Sequence, residues 1–266
     1  MVTQTAPRES AQDAINGRLY REQNLVSTYT PTRLHPPEAT ALVRYRDDIH
    51  CQRVLDLGCG AGRLATYLRP LVEEYVGVDV SRHMVEHCRR AFKELEFIQG
   101  DMRSMPQIEN DSFDTVFAVA NLFDAVSHAE RLEVLAEVRR ILAPGGLLVF
   151  SAHNRNYREA GDAPRLGRHR NPLTQMRLLL DYLQASSNHR RIKPFHRNES
   201  EYALLNDSGN NYHTLHYYVS RDVQANQLAR AGFELLECLG EYGETLGPAD
   251  RDDAYSSLMY VARRSV

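Results

Sequence analysis

Arg53-Val54-Leu55-Asp56-Leu57-Gly58-Cys59-Gly60-Ala61-Gly62-Arg63 runs from an apolar, β-favouring segment into three glycines at alternate positions, and a helix-compatible segment follows. The pattern predicts strand, tight turn, helix. Glycine suits such a turn because a side chain would hold a ligand off the backbone, and because a strand-to-helix turn often needs positive φ. Two classes of nucleotide cofactor compete for it. The dinucleotide fingerprint G-x-G-x-x-G needs its third glycine at position 63, where this chain has Arg63, and it serves a pyrophosphate on the helix N-terminus. Here the spacing is G-x-G-x-G.

The segments downstream narrow the choice. Tyr75-Val76-Gly77-Val78-Asp79 predicts a second buried strand ending in a carboxylate, where an acid can accept both hydroxyls of a ribose. Glu96-Phe97-Ile98-Gln99-Gly100-Asp101-Met102 puts another acid at a third strand end. Phe113 to Ala120 predicts strand four, and Ala143-Pro144-Gly145-Gly146-Leu147-Leu148-Val149-Phe150 a turn and strand five. With the glycine triplet, these motifs in this order resemble the class I S-adenosylmethionine-dependent methyltransferases, over residues 37–153 and again from 217 to the end.

The resemblance implies an α/β fold with a doubly wound, seven-stranded, mostly parallel sheet of order 3-2-1-4-5-7-6, strand seven running antiparallel. It implies S-adenosyl-L-methionine as cofactor. Gly58, Gly60 and Gly62 would form its wall, Asp79 would take the ribose, and Asp101 with the Met102 backbone the adenine. Asp56 could reach the methionyl ammonium, directly or through water. Aspartates at strand ends are also ordinary turn residues, an alternative that covers each one singly better than the ordered set.

Size and composition bound the rest. With 266 residues, 42% of them hydrophobic, the chain can build one substantial core carrying a large insertion. A net charge of −3 gives no global attraction to nucleic acid or to an anionic membrane, although a local patch still could. No apolar run approaches the ~20 residues of a membrane span, and the polar N-terminus has no secretion-signal core, so the expected location is cytoplasmic with no membrane partner. Cys51, Cys59, Cys88 and Cys238 form no C-x-x-C pair, and no metal ligand set is expected.

Three regions follow. Residues 1–36 are a polar segment with some helical character that could fold over the cofactor, with Tyr29 and Arg33 as contacts, or pack by its aromatics. Residues 37–154 and 217–266 are the cofactor-binding core. Pro36-Pro37-Glu38 starts its first helix with proline and an acid in the first turn, and Ser81 is placed to cap another. Residues 155–216, between strand five and the following helix, are an α+β insertion on the substrate side, with a helix near 174–183 and a hairpin formed by 201–205 and 212–218. The insertion is basic: residues 155–197 hold ten Arg and Lys against three acids.

An acceptor should lie over the C-terminal ends of strands four and five, which nominates Asn121, Asp124 and His128 after strand four, and His153 and Asn154 after strand five. Asn121 and His153 are the catalytic candidates. His153 with an ordinary pKa near ~6.5 would be a neutral general base; the alternative is a strand-end histidine bonded to nearby backbone. On a regular strand 212–218, His213 and His216 would face opposite ways, against a metal pair. Three functions compete: methyl transfer to an O or N atom of a small molecule, an acidic one included; RNA methylation using the basic insertion; and a non-catalytic cofactor-binding protein. The net charge and the lack of a recognisable RNA-binding appendage disfavour nucleic acid.

Overall fold

The structure, a computed structural model, describes residues 11–22 and 33–266. The stretch from Arg53 folds as expected. β1 (Arg53–Leu57) is buried from Val54 onward, and the chain turns through Gly58, Gly60 and Gly62 at φ 67°, 55° and 81°, the left-handed region that disfavours a side chain. β2 (Glu74–Asp79), β3 (Glu96–Gln99), β4 (Phe113–Ala118) and β5 (Leu142–Asn154) complete a parallel array in the order β3-β2-β1-β4-β5, with Leu55 opposite both Val76 and Val116. The helical connections include α2 (Pro36–Arg44), α3 (Arg46–Ile49), α4 (Ala65–Leu68), α5 (Arg82–Ala91) and α6 (His128–Ile141), preceded in the chain by α1 (Ala11–Gly17). Alternate strand residues feed two apolar layers: Leu55, Val116 and Leu148 in one, Val54, Phe117 and Val149 in the other. Near-continuous apolar strands of this kind are those covered on both faces.

Past β5 the order is also as expected, because β10 (Ser257–Arg264) pairs antiparallel with β5 and β9 (Phe233–Leu239) pairs with β10. The insertion departs from expectation. It holds α7 (Pro172–Ile192), β6 (Arg197–Asn198) and β7 (Tyr202–Leu205), and β8 (His216–Val219) carries the chain from it back into the core, where α8 (Arg221–Arg230) follows. Its strands join the main sheet instead of forming a separate layer, which makes the sheet ten-stranded. β8 pairs with β5 through His153 and Asn154, opposite Tyr218 and Val219. β4 pairs with β5 only as far as Ala118 opposite Phe150, and β10 holds the other edge of β5, so β8 takes the edge that β4 leaves free. The insertion is thereby anchored directly over the end of β4.

The predicted hairpin forms, but its second strand is shorter than 212–218. Residues Gly209–Tyr212 make a 3-10 turn, with positive φ at Asn210, Asn211 and Tyr212, and the strand begins only at His216. The run Asn206-Asp207-Ser208-Gly209-Asn210-Asn211 thus extends its turn character into the aromatic segment. On β8 itself the period of two holds: His216 and Tyr218 share one face and Tyr217 the other. Ser81 stands at the start of α5 as expected, yet its hydroxyl makes no capping bond. Among the described residues, no helix is long and apolar enough to cross a membrane.

Candidate active site

One cleft opens at the C-terminal ends of β1, β2, β3 and β4, where a doubly wound sheet places ligands. Gly58, Gly60, Asp79, Asp101, Met102 and Asn121 all line it. Asp79 is fixed by the glycine turn: its carboxylate accepts from the Gly60 N–H at 2.9 Å and from the Ser81 N–H at 2.8 Å. Burial raises its pKa, while those two backbone donors pull it back. Asp101 is gripped by Arg103 at 2.6 Å and approached by Arg21 at 3.5 Å. Burial pushes its carboxyl up, but the bonds and charge of Arg103, with the charge of Arg21, hold it below the usual range.

The three motif glycines divide. A Cβ on Gly58 would meet Leu122 at 2.5 Å and one on Gly62 would meet Phe92 at 2.6 Å, whereas one on Gly60 meets nothing within 4 Å. Gly60 alone leaves room for a ligand; Gly62 lies outside the cleft and is small because α5 and the Phe92 ring pack against it. Asp56 also departs from expectation. Its carboxylate is buried, accepts from the Tyr75 hydroxyl at 2.7 Å, and is raised to about 7 by burial, so it sits behind the turn and not in the cleft.

The far wall was only partly legible. Helix α1 and the π-helical turn Arg18–Glu22 put Asp13, Asn16, Gly17, Tyr20 and Arg21 into the lining. Asn16 holds this segment down by donating to the Ala125 and Leu215 carbonyls at 2.7 and 2.8 Å and accepting from the Leu215 N–H at 3.0 Å. Its polar composition gave no sign of which residues would dock. Tyr29 lies outside the described residues, and Arg33 is exposed with its carbonyl accepting from Arg63.

Beside the cleft the chain gathers a buried polar cluster. Asn121 follows β4 in a left-handed conformation and its N–H donates to Ser151 Oγ at 2.8 Å. Its side-chain Nδ2 lies 3.3 Å from His153 Nε2. Asp124 accepts from both the N–H and Nδ1 of His153, at 2.6 and 2.8 Å, and pairs with the buried Arg131 at 2.5 Å. That arrangement fixes the ring and leaves Nε2 as the reactive end. Burial by itself would lower the His153 pKa, but the bond and charge of Asp124, together with the charge of Asp207, outweigh it and hold the imidazole above its ordinary value. The expectation of an unperturbed imidazole is therefore corrected, as is the alternative of a bond to backbone alone.

β8 and the loop before it supply the other half. Asp207 accepts from His216 Nδ1 at 2.8 Å and the Tyr218 hydroxyl at 2.7 Å, and lies 3.7 Å from His153 Nε2. Although burial opposes it, the His216 charge and bond, with His153 and Tyr218, keep its carboxyl well below the usual range. The His153 ring stacks on that of His216 and lies tilted against that of Tyr218, 4.8 and 4.9 Å between centroids. Tyr20 of the cleft wall reaches His216 Nε2 at 3.4 Å. The ligand atoms of His153, Asp207 and His216 come within 4.8 Å of one another, a grouping that the sequence spacing gave no hint of. The near-parallel stacking of the two rings aims their nitrogens side by side instead of at one point, and Asp207 already accepts from two donors, so the set forms a hydrogen-bond network. Asn121, Asp124 and His153 are thus brought together as expected. His128 is turned to the opposite face, stacked with Tyr202 and bonded to the Tyr217 hydroxyl, and Asn154 is buried holding the Asp252 and Tyr255 carbonyls.

The cleft fits an adenosine-bearing cofactor by two observations besides the open space at Gly60. Ser81 Oγ and Asn121 Oδ1, both on lining residues, are buried with no partner among the described residues.

Residues 54–146 match the family model for a methyltransferase domain. The chain is 36% identical over 131 residues to the fatty-acid O-methyltransferase of Mycolicibacterium smegmatis, covering 44% of this chain and 45% of that protein. It is 36% identical over 104 residues to phthiotriol/phenolphthiotriol dimycocerosates methyltransferase 1 of Mycobacterium ulcerans, covering 38% and 37%. Both matches span less than half the length of the curated relatives. Among solved structures, the Burkholderia thailandensis 1,6-didemethyltoxoflavin-N1-methyltransferase superposes with a TM-score of 0.61 at 13% identity, covering 100% of this chain and 93% of that one. That likeness is one of fold.

Proposed function

We propose that the chain is a class I, S-adenosylmethionine-dependent methyltransferase, a reading its match to the methyltransferase-domain model over residues 54–146 supports, and that it transfers a methyl group to an oxygen or nitrogen of a small molecule. The observation that carries this is the meeting of the cleft and the polar cluster at Asn121, which lines one and touches His153 of the other. Residues 37–154 and 217–266 form the cofactor-binding core, residues 155–216 the acceptor side, and the segment 11–22 a cover over the cleft.

Bound in the cleft, S-adenosylmethionine would supply a methyl group on a sulfonium, poised to leave by in-line displacement. Asp79 takes the ribose hydroxyls, Asp101 with the Met102 backbone the adenine, and Gly60 admits the ligand against the backbone. What this chain adds to the chemistry is alignment, exclusion of water by α1 and the β8 loop, and management of a proton. Neutral His153 accepts from Asn121 Nδ2; protonated, its Nε2–H faces the Asp207 carboxylate, so the ring has a partner in either state. Asp124 holds the ring throughout. An acceptor hydroxyl or ammonium beside Asn121 gives its proton toward His153.

Relatives named for fatty-acid and phthiotriol substrates support a small-molecule acceptor over RNA. The test is turnover of candidate acceptors by wild type and by His153→Ala. Loss of turnover by about 10²–10⁴-fold with cofactor affinity intact supports the assignment; unchanged turnover means that alignment alone carries the reaction.

A further inference from the structure

Helix α7 is 21 residues long, and only its later part is sunk in the body, with Ala185, His189 and Ile192 buried. The first half stands clear. Leu173, Met176, Leu179, Leu180 and Leu183 are exposed by 80%, 58%, 37%, 58% and 55%. At about 100° per residue these five fall within one arc of roughly 120°, opposite the buried face. A helix that already has a packed side does not need a second apolar one, and contiguous exposed apolar surface of this kind marks a contact with something else.

The charges around the arc indicate what. Arg177 lies at its edge, and Arg190 and Arg191 continue the same sector toward the helix C-terminus. Gln175 ties the preceding loop to the helix, donating to the Gly167 carbonyl at 3.2 Å and accepting from the His169 N–H at 2.6 Å, so Arg168 and Arg170 sit at its start. Arg168, Arg170, Arg177 and Arg190 are exposed and have no carboxylate partner among the described residues. An apolar ridge flanked by free guanidinium groups is the composition of a helix lying in an anionic lipid interface.

We propose that the outer face of α7 docks on the surface of an anionic lipid bilayer, the helix lying in the headgroup plane with its leucines below and its arginines among the phosphates. A second copy of the chain fits less well, because it would set one insertion, with ten Arg and Lys against three acids over residues 155–197, against another. The expectation of no membrane partner rests on the lack of a spanning apolar run, which does not bear on surface docking, and the net charge of −3 averages over this face. The inference is independent of methyl transfer, since its test reads association and not turnover.

The experiment is co-sedimentation of the full chain with phosphatidylcholine vesicles, with and without phosphatidylglycerol. Wild type should sediment with the anionic vesicles, and added salt should release it. Leu180→Glu should weaken partitioning by roughly ten-fold or more, and each of Arg168→Ala, Arg170→Ala and Arg177→Ala by about five-fold. S-adenosylhomocysteine affinity should stay unchanged in all four, which confirms that they are folded. Wild type that stays in the supernatant with both vesicle types, or binding that the variants do not alter, would overturn the proposal. So would a concentration-dependent dimer in ultracentrifugation that Leu180→Glu abolishes, since the ridge would then be a subunit contact.

Discussion

Gly60→Ala and Gly62→Ala change the same motif by the same methyl group, yet should fail in different ways. Both positions have left-handed φ, 55° and 81°, where a Cβ costs roughly 1–2 kcal/mol. At Gly62 the new Cβ also meets the Phe92 ring at 2.6 Å, a ring itself packed 6.0 Å from Phe97. Overpacking adds about 1–3 kcal/mol, so Gly62→Ala should lose about 2–5 kcal/mol of stability. At about 2–4 °C per kcal/mol for a chain of this size, its Tm falls by about 4–20 °C. At Gly60 the Cβ meets nothing within 4 Å, so the stability loss stops at the backbone term and Tm falls by about 2–8 °C. The methyl group then occupies ligand space, where about 1–3 kcal/mol of overlap weakens binding by about 5–150-fold. Thermal unfolding with and without S-adenosylhomocysteine, alongside calorimetry, separates the two. Gly60→Ala should lose affinity more than stability, and Gly62→Ala stability more than affinity. A Gly60→Ala variant that binds like wild type would refute the placement of the ligand against this turn.

Other consequences follow from the polar cluster and the insertion. A base must be unprotonated to act, and the His153 pKa is raised above its ordinary value, so kcat/KM should climb with pH through an ionisation above ~6.5; a profile flat across that range would remove His153 from the proton path. Asp207→Asn deletes one of the charges that raise this pKa, so the rising limb should move to lower pH, and a shift in the other direction would contradict the geometry at Nε2. Replacing Arg190, Arg191 and Lys193 together with alanine should leave S-adenosylhomocysteine affinity unchanged. If wild type instead bound transfer RNA fragments with a steep salt dependence that this triple variant abolished, the acceptor class would be RNA.

The parts legible in the sequence are those set by local chemistry. Val54 to Leu57, the glycine turn and the acids Asp79 and Asp101 are fixed by strand periodicity, backbone sterics and strand-end position, and Leu57, Gly58, Gly60, Asp79 and Asp101 come together in one cleft. Asp56 reads the same way along the chain, but strand alternation turns its side chain to the opposite face from Leu55 and Leu57, under Tyr75. Gly62 matched a ligand-binding pattern although its neighbour is a packed ring that no local pattern reveals. Asp207 and His216 were hidden because their role depends on β8 filling the edge beyond β4, a pairing between segments some sixty residues apart. Likewise, nothing in the polar stretch around Asn16 and Tyr20 signals that it will lie against Ala125 and Leu215.

Calorimetric titration with S-adenosylhomocysteine and, separately, with NAD tests the central claim most directly. The expected result is one site for S-adenosylhomocysteine, no heat with NAD, and a loss on the order of 2–4 kcal/mol in Asp79→Ala from the missing charged acceptor. Tight NAD binding with no response to S-adenosylhomocysteine, or an Asp79→Ala variant of unchanged affinity, would contradict it.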